Sequence, residues 1–171
     1  MKVTSLKIPD VKLIEPDVFE DGRGFFYESF NQKKFNECVG KEIYFVQDNH
    51  SKSKKGVLRG MHFQKKPYAQ GKLIRVIKGE IYDVALDLRK NSNSYGQWVS
   101  EVLSAENKKQ LWIPEDFAHG FLAISDEVEI VYKTTNYYSK EHEERILFND
   151  QRFSIIWPEG FTFKLSQKDS L

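Results

Sequence analysis

Residues 80–89 read EIYDVALDLR, and the alternation within this stretch predicts the fold class. Side chains of an extended chain point alternately to its two sides. One side here carries the even-numbered residues and the other side the odd-numbered ones: Tyr82, Val84, Leu86 and Leu88 against Ile81, Asp83, Ala85, Asp87 and Arg89. Such a period of two indicates a β-strand with two different environments. The preceding Lys78-Gly79 pair predicts a tight hairpin.

Further strand-like segments follow one another along most of the chain. They are rich in β-branched and aromatic residues, and clusters of Gly, Asn, Ser, Lys or Pro separate them at intervals of about ten residues. The segments are 43–47, 57–64, 72–77, 97–103, 110–113, 118–124, 128–138 and 153–157. This spacing is typical of a sandwich or barrel. We therefore predict an all-β, mostly antiparallel jelly-roll β-barrel or sandwich with one or two short helices.

One helix is expected in the first quarter of the chain. Asn31 can cap its start, and Gly40 can end it in a left-handed conformation. Its apolar face carries Cys38, which we interpret as a small buried hydrophobic residue. Residues 104–109 predict either a turn or a second, shorter helix.

Composition limits the class of protein. The 171 residues contain 26 Lys+Arg and 25 Asp+Glu, and the net charge of +1 argues against binding to nucleic acid or membranes through charge alone. About 70% of the unfolded surface can be buried at this length, which suits a single domain over 1–171. A single cysteine excludes a disulfide framework and a cysteine-rich zinc site. Because no apolar run suits a signal peptide or a membrane span, we expect a soluble cytoplasmic protein.

Polar residues that can carry chemistry lie within or beside the strand-like segments. They fall in residues 21–24, 47–49, 58–64 and 117–121. A polar side chain in a strand must face solvent or a wet cavity, since burial without a partner costs free energy. His62 and His119 belong to two of these segments, and each can be either a structural histidine or a general base.

A metal site is not expected here. Gln64 occupies the position two after His62, where metal-binding jelly rolls often carry a second histidine, and Lys72 adds a repelling charge. Glycine-rich motifs for dinucleotides and phosphates are absent from the sequence, as is the Gly-x-Ser-x-Gly elbow of hydrolases. Anion binding then falls to cationic side chains, each of which alone is more often a surface charge: Arg23, Arg59, Lys72 and Lys168.

Two side chains leave alternatives open. Tyr132 shares a strand face with Ile130, so it is either a barrel-lining residue or a proton donor whose phenol faces a cavity. Arg59 and His62 are three residues apart and face opposite sides of a regular strand. Either Gly60 marks a bulge that re-aims one of them, or the two residues serve different sites.

Seven segments together resemble one enzyme family. They read FEDGRGFFYESF (19–30), FVQDNHSKS (45–53), VLRGMHFQ (57–64), QGKLIR (70–75), DVALDLR (83–89), SAENKKQLWIPEDFAHG (104–120) and YKTTNYY (132–138). Their order and spacing resemble the dTDP-4-dehydrorhamnose 3,5-epimerase family from about residue 8 to residue 169. The resemblance implies a cupin jelly roll that needs no cofactor and works as a homodimer with exchanged strands.

The same resemblance implies a reaction and the residues that perform it. The family inverts C3 and C5 of dTDP-4-dehydro-6-deoxy-D-glucose and forms dTDP-4-dehydro-L-rhamnose. His62 matches the proton acceptor, Tyr132 the proton donor, and Lys72 the cation beside the 4-keto oxygen. Asp169 matches the carboxylate that pairs with the base histidine, although chain ends tend to fray. Tyr138 matches an aromatic residue near the thymine.

Further positions match those that hold the nucleotide sugar: Arg23, Glu28, Gln47, Asp48, Asn49, Arg59, Lys72, His119, Glu143 and Lys168. The chemistry fits, because a 4-ketone acidifies the hydrogens on both neighbouring carbons, and inversion needs a base and an acid on opposite faces of the ring. Three other interpretations stay open. They are an epimerase that inverts only C3 or only C5 of a related 4-keto nucleotide sugar, a metal-dependent cupin, and a non-catalytic carbohydrate-binding domain.

Overall fold

In a computed structural model, which describes residues 1–170, the chain forms two β-sheets packed face to face. The strands are β1 (Lys2–Ser5), β2 (Lys12–Glu15), β3 (Phe19–Asp21), β4 (Gly24–Phe26), β5 (Gln47–Lys54), β6 (Leu58–Gln64), β7 (Lys72–Lys78), β8 (Glu80–Asp87), β9 (Trp98–Ser104), β10 (Gln110–Ile113), β11 (Phe117–Ala123), β12 (Glu127–Thr134) and β13 (Glu143–Arg145). Helix α1 spans Gln32–Val39, and a single 3-10 turn spans Lys140–His142.

The named strands pair in antiparallel fashion. The six-stranded sheet has the order β1-β2-β10-β7-β12-β5 and the five-stranded sheet the order β13-β6-β11-β8-β9, while β3 and β4 form a separate ribbon. A buried apolar core lies between the sheets and includes Ile74 and Ile130 from one sheet and Ile81 and Phe121 from the other. This architecture confirms the predicted all-β cupin jelly roll.

The alternation in residues 80–89 separates two apolar environments on β8. Ile81 faces the core between the sheets, whereas Val84 faces outwards and packs with Trp157. The carboxyl-terminal part of the chain covers this outer face with aromatic side chains. The prediction of a strand at 153–157 is wrong, because this segment packs its side chains onto the sheet without joining a ladder.

Helix α1 covers the outer face of the six-stranded sheet. Asn31 caps it by accepting a hydrogen bond from a first-turn backbone amide at 3.1 Å, and Gly40 ends it at φ +76°, as predicted. Phe35 is buried against Trp112 of the sheet, with their ring centroids 5.2 Å apart. Cys38 is only half-buried. The prediction of full burial is wrong because, within this helix, Phe35 alone is buried.

The turn at Lys78-Gly79 connects the two sheets, so the hairpin predicted there is wrong. β7 belongs to the six-stranded sheet and β8 to the five-stranded sheet. Gly79 has φ +74°, and a Cβ at this position would collide with the backbone carbonyl oxygen of Glu127. The glycine therefore allows a sharp corner between the sheets rather than a pairing of adjacent strands.

Strand β5 begins where the segment predicted as 43–47 ends. Its sequence QDNHSKSK lacks the β-branched and aromatic residues typical of strands, which is why residue patterns missed it. Within the described residues β5 pairs only with β12, and its side chains alternate between partly buried and exposed. Residues 105–107 form a turn and not a second helix. Neither α1 nor the 3-10 turn, the helical elements of residues 1–170, has the length and apolar character for crossing a membrane.

Candidate active site

A cavity of about 340 Å³ is lined by residues of both sheets and of the carboxyl-terminal segment. It brings together nine residues that the sequence singles out: Arg59, His62, Lys72, His119, Tyr132, Tyr138, Glu143, Lys168 and Asp169. It also contains residues to which sequence reasoning gave no role in binding: Ser51, Phe63, Gln64, Gln70, Phe121, Ile130 and Ser166. Gln64 was considered only as a metal ligand, although the period of two in strands places its side chain on the same face as that of His62.

A bulge in β6 brings Arg59 and His62 to the same cavity. His62 pairs with His119 of β11 and Arg59 pairs with Phe121, so three steps along β6 match two steps along β11. The extra residue redirects one of the two side chains. Gly60 has φ +129°, and a Cβ there would collide with the β11 backbone. The bulge, one of the two alternatives raised by the sequence, is therefore confirmed.

His62 is held by a carboxylate from the carboxyl-terminal segment. Its Nε2 lies 2.5 Å from Oδ1 of Asp169, whose side chain is buried. Ser166 fixes Asp169 in turn, because its Oγ donates a hydrogen bond to Oδ2 at 2.8 Å. An ionised carboxylate can only accept hydrogen bonds, so Nε2 carries the proton and Nδ1 of His62 is left as the basic atom.

The surroundings of His62 keep its imidazole neutral near pH 7. Burial lowers the pKa of His62 below its ordinary value of 6.5, and the charges of Lys72 and Lys168 act in the same direction. The carboxylate of Asp169 opposes this shift through its charge and its hydrogen bond. A neutral imidazole with a free Nδ1 can accept a proton from a ligand in the cavity.

Lys72 is a buried cation on β7. Only 9% of its surface is exposed, and its Nζ donates to the backbone carbonyl oxygen of His62 at 3.4 Å. Burial lowers the pKa of Lys72 to about 8, although the carboxylates of Asp83 and Glu143 oppose the shift. The ammonium form therefore still dominates at pH 7. At a site with little water, such a charge interacts strongly with an oxyanion.

Tyr132 faces the cavity from the opposite sheet to His62. It lies on β12 of the six-stranded sheet, whereas His62 lies on β6 of the five-stranded sheet. Burial raises the pKa of Tyr132 above its ordinary value of 10, with the charge of Arg59 acting against this rise. The phenol therefore keeps its proton at pH 7 and can donate it. A base and an acid thus face one cavity from two sides.

A second pair of imidazole and carboxylate lies next to the first. Nε2 of His119 is 2.6 Å from Oδ1 of Asp83, and both side chains are buried. His119 lies directly opposite His62 in the β6–β11 ladder. Sequence reasoning singled out His119 but missed Asp83. The alternation in β8 could have found it, because Asp83 shares its inward face with Ile81 and Ala85.

Glu143 connects the polar residues on the exposed side of the cavity. Its carboxylate accepts a hydrogen bond from the Tyr138 hydroxyl at 3.0 Å and forms an ion pair with Lys168. Burial acts in the opposite direction, but these two partners hold the pKa of Glu143 below its ordinary value. Gln47 extends the network, since its Oε1 accepts from the Tyr138 amide at 3.1 Å and its Nε2 donates to Asn49 at 3.0 Å.

Five of the predicted binding residues do not line this cavity: Arg23, Glu28, Gln47, Asp48 and Asn49. Arg23 lies at the exposed turn of the β3–β4 ribbon, where it pairs with Asp21, and Glu28 follows the ribbon on the way to α1. Asp48 pairs with Lys133 beside a different cavity of about 290 Å³. A single chain therefore brings His62, Tyr132 and Lys72 to one cavity, but not the whole set of predicted binding residues.

The chemistry available in the cavity is acid–base chemistry next to a cation. The part of the chain that the structure describes contains no group of three or more His, Cys, Asp or Glu side chains that could hold a metal ion. A neutral imidazole, a protonated phenol and an ammonium group can together remove a proton beside a carbonyl, stabilise the enolate and return a proton from the other side. Arg59 and Lys168 add positive charge for an anionic portion of a ligand.

Comparisons with known proteins point to the same chemistry. A family model described as dTDP-4-dehydrorhamnose 3,5-epimerase matches residues 5–171. The dTDP-4-dehydrorhamnose 3,5-epimerase of Shigella flexneri is 62% identical over 158 residues, which cover 92% of this chain and 87% of that protein. The protein of the same name from Salmonella typhimurium is 57% identical over 170 residues, which cover 99% of this chain and 93% of that protein.

Solved structures share the whole fold. The dTDP-6-deoxy-D-glucose-3,5-epimerase of Legionella pneumophila, in complex with dTDP-4-keto-L-rhamnose, is 48% identical, has a TM-score of 0.95 and matches 99% of this chain and 89% of that chain. A 3'-monoepimerase of Streptomyces bikiniensis, in complex with dTDP-quinovose, is 28% identical, has a TM-score of 0.90 and matches 96% of this chain and 83% of that chain. With this similarity over nearly its full length, the chain belongs to the dTDP-4-dehydrorhamnose 3,5-epimerase family.

Proposed function

We propose that this chain inverts C3 and C5 of dTDP-4-dehydro-6-deoxy-D-glucose and releases dTDP-4-dehydro-L-rhamnose, an isomerase step of dTDP-L-rhamnose biosynthesis. The observation that carries the proposal is the position of His62 and Tyr132 on opposite sheets around one cavity that also contains Lys72. Inversion at carbon requires proton removal on one face and proton return on the other. Residues 1–171 act as one catalytic domain in the cytoplasm, where the single cysteine stays reduced.

The proton transfers follow from the geometry of the site. Nδ1 of His62 removes the hydrogen from the carbon next to the ketone, since Nε2 is engaged by Asp169. The electron pair moves onto the ketone oxygen, where the Lys72 ammonium stabilises the enolate charge. Tyr132 then gives its proton to the carbon from the opposite face. His62 then releases its proton to water and the Tyr132 phenolate takes one from water, so that the same groups can serve the carbon on the other side of the ketone after the sugar turns. No oxidant or cofactor is required.

Cationic and aromatic side chains toward the outside of the cavity suit the nucleotide. The planar fork of Arg59 can bond two diphosphate oxygens, and Lys168 adds a second charge. The ring of Tyr138 is 52% exposed and offers a surface for the thymine. His119 lines the same cavity and can contact the sugar there.

A homodimer with exchanged strands would complete the binding site. The ribbon of β3 and β4 pairs with no other strand of residues 1–170. Its side chains Phe19, Phe25 and Phe26 are between 60% and 72% exposed. Phe19 and Phe26 lie directly opposite each other in the ribbon, and exposed apolar side chains of this kind favour burial against another surface. We place the ribbon on a second copy of the chain, so that Arg23 and Glu28 reach the cavity of that copy.

Mixing two inactive variants tests this exchange. Arg23→Ala impairs binding, and His62→Ala removes the base. When the two variants are dissociated and re-associated together, half of the dimers contain one chain of each kind, and one of their two sites is intact. We expect about a quarter of the parent activity at low substrate concentration. No recovery beyond the sum of the separate variants would show that Arg23 does not serve a second copy.

NMR in D₂O tests the reaction itself. The parent enzyme is incubated with dTDP-4-dehydro-6-deoxy-D-glucose, and we expect a doubly inverted product with deuterium at C3 and C5. Deuterium and inversion at one carbon only would instead assign the type of activity for which the Streptomyces bikiniensis structure is named. Tight binding of the substrate without any exchange would contradict an enzymatic role and leave a binding domain.

A further inference from the structure

A buried carboxylate behind the cavity has no role in the proton transfers. Asp83 on β8 is fully buried, and its Oδ1 accepts a hydrogen bond from His119 at 2.6 Å. Its Oδ2 is also buried and has no hydrogen-bond partner within residues 1–170. A buried carboxylate oxygen without a partner costs free energy, and a buried negative charge needs a positive one nearby.

Asp87, on the same strand, is a buried carboxylate with a structural role and can be compared with Asp83. It lies four residues further along β8, on the same side, and is also fully buried. Both of its oxygens accept hydrogen bonds, from Arg89, Ser92 and Ser94. Its charge is thus neutralised by the loop that follows β8. Asp83 has no such set of donors, so its charge acts on the interior of the barrel.

Lys72 and His119 line the same cavity, and Asp83 lies buried behind His119, to which it is hydrogen-bonded; Lys72 is thus a buried cation in the cavity next to a buried carboxylate. Of the two carboxylates that favour the ammonium form of Lys72, Asp83 from β8 has the larger effect and Glu143 from β13 the smaller. The other titratable or charged groups that line the cavity come from β6, β11, β12 and the carboxyl-terminal part of the chain: Arg59, His62, His119, Tyr132, Tyr138, Lys168 and Asp169. Burial by itself favours the neutral amine, so the charge state of Lys72 depends on the carboxylates.

We propose that Asp83 is a positioning residue for the reaction: His119 fixes its buried carboxylate, and the negative charge keeps Lys72 in the ammonium form beside the ketone oxygen of the substrate. The inference rests on the proposed function. Asp83 does not line the cavity, so it acts through Lys72 rather than on the substrate. Only the ammonium form stabilises the enolate, and loss of the Asp83 charge therefore lowers activity first at alkaline pH.

Asp83→Asn tests the proposal, because it removes the charge and keeps the shape. The measurement is kcat/KM for the 4-keto nucleotide sugar between pH 5.5 and 9.5. In the variant the alkaline limb should move to lower pH by about one unit or more, which makes the loss at pH 8.5 roughly tenfold larger than the loss at pH 6.5. Asp87→Asn is the matched control: it lowers Tm and leaves the alkaline limb in place.

Several outcomes would overturn the proposal. One is an alkaline limb of Asp83→Asn that coincides with that of the parent, and another is an equal loss at every pH, as expected for a structural residue. If Asp83→Asn does not fold, the same pH profile of kcat/KM is measured on Asp83→Ser. In the parent, NMR of the Lys72 side chain, assigned with Lys72→Arg, should show the ammonium form at pH 7, and a neutral amine would also refute the proposal. A parent enzyme without epimerase activity would refute the proposed function instead.

Discussion

His62 and Asp169 share a hydrogen bond of 2.5 Å although 107 residues separate them in the chain. The bond joins the middle of strand β6 to the carboxyl-terminal segment, which also contributes Ser166 and Lys168 to the cavity. A single imidazole thereby gains a fixed orientation and a defined basic atom, Nδ1.

Replacing the carboxylate of this pair should slow catalysis without unfolding the protein. In Asp169→Asn the amide can present a donor to Nε2, which favours the wrong tautomer of His62, and we expect kcat to fall by about 10²–10⁴-fold. Asp169 raises the pKa of His62, so its loss should also move the acidic limb of kcat/KM to lower pH. Ser170→Ala, one residue away and exposed, is the control and should keep the parent kcat. A parent-like Asp169→Asn would show that the pair does not operate in the reaction.

The pH dependence of the parent enzyme should reflect two buried groups. His62 acts as a base only when neutral, and burial lowers its pKa, so activity should rise with pH through a limb below 6.5. Lys72 acts only as an ammonium ion, and activity should fall again through a limb near pH 8. Tyr132 titrates above 10 and should add no limb in between. A profile of kcat/KM that stays level from pH 7 to pH 10 would contradict the role given to Lys72.

Arg59 should contribute to binding rather than to the proton transfers. Its guanidinium donates to Ser53 Oγ at 3.1 Å and to the Lys52 carbonyl oxygen at 3.2 Å, and among residues 1–170 it has no carboxylate partner. Removing this charge in Arg59→Ala should weaken dTDP binding by about 2 kcal/mol, or roughly 30-fold, at little cost in kcat. Calorimetry with dTDP measures the effect, and Arg152→Ala is the control, because that arginine pairs with Asp150 away from the cavity. Equal affinity in both variants would show that Arg59 is structural.

Activity should be independent of metal ions. In the proposed reaction the ketone oxygen of the substrate interacts with the ammonium group of Lys72. This cation would repel a divalent metal ion bound near His62. We expect dialysis against EDTA to leave the rate of epimerisation unchanged. Loss of activity that one particular metal restores would contradict the proposed chemistry.

The sequence was most informative where burial dictates residue type. The alternation in β8 correctly predicted a strand whose two sides face different surroundings, and the caps of α1 were correct as well. Strand β5 escaped prediction because it is polar and lies at a sheet edge, where backbone pairing with β12 determines its structure. Residues 153–157 were wrongly predicted as a strand because they are rich in aromatic and β-branched residues. An irregular segment can bury such side chains as well as a strand can.

For the site residues, too, the sequence predicted some features and not others. Composition and spacing raised His62, His119 and Tyr132 only as candidates, and the family resemblance assigned their roles. Arg59 and His62 reach the same cavity because of a bulge in β6, which the period of two does not predict. Gly60 indicated only that a bulge was one of two alternatives. Asp83 was missed because its role depends on its hydrogen bond to His119, which lies on another strand and cannot be identified as its partner from the sequence.

The central claim is that the base and the acid act from opposite faces of the sugar. NMR in D₂O on His62→Ala and Tyr132→Phe tests it most directly. His62→Ala should neither exchange nor epimerise, because no base remains. Tyr132→Phe should still exchange hydrogen for deuterium through His62, while inversion falls by about 10²–10⁴-fold, since exchange needs no donor on the far face. Epimerisation by Tyr132→Phe at the parent rate would contradict the claim and leave Tyr132 as a residue that merely lines the barrel.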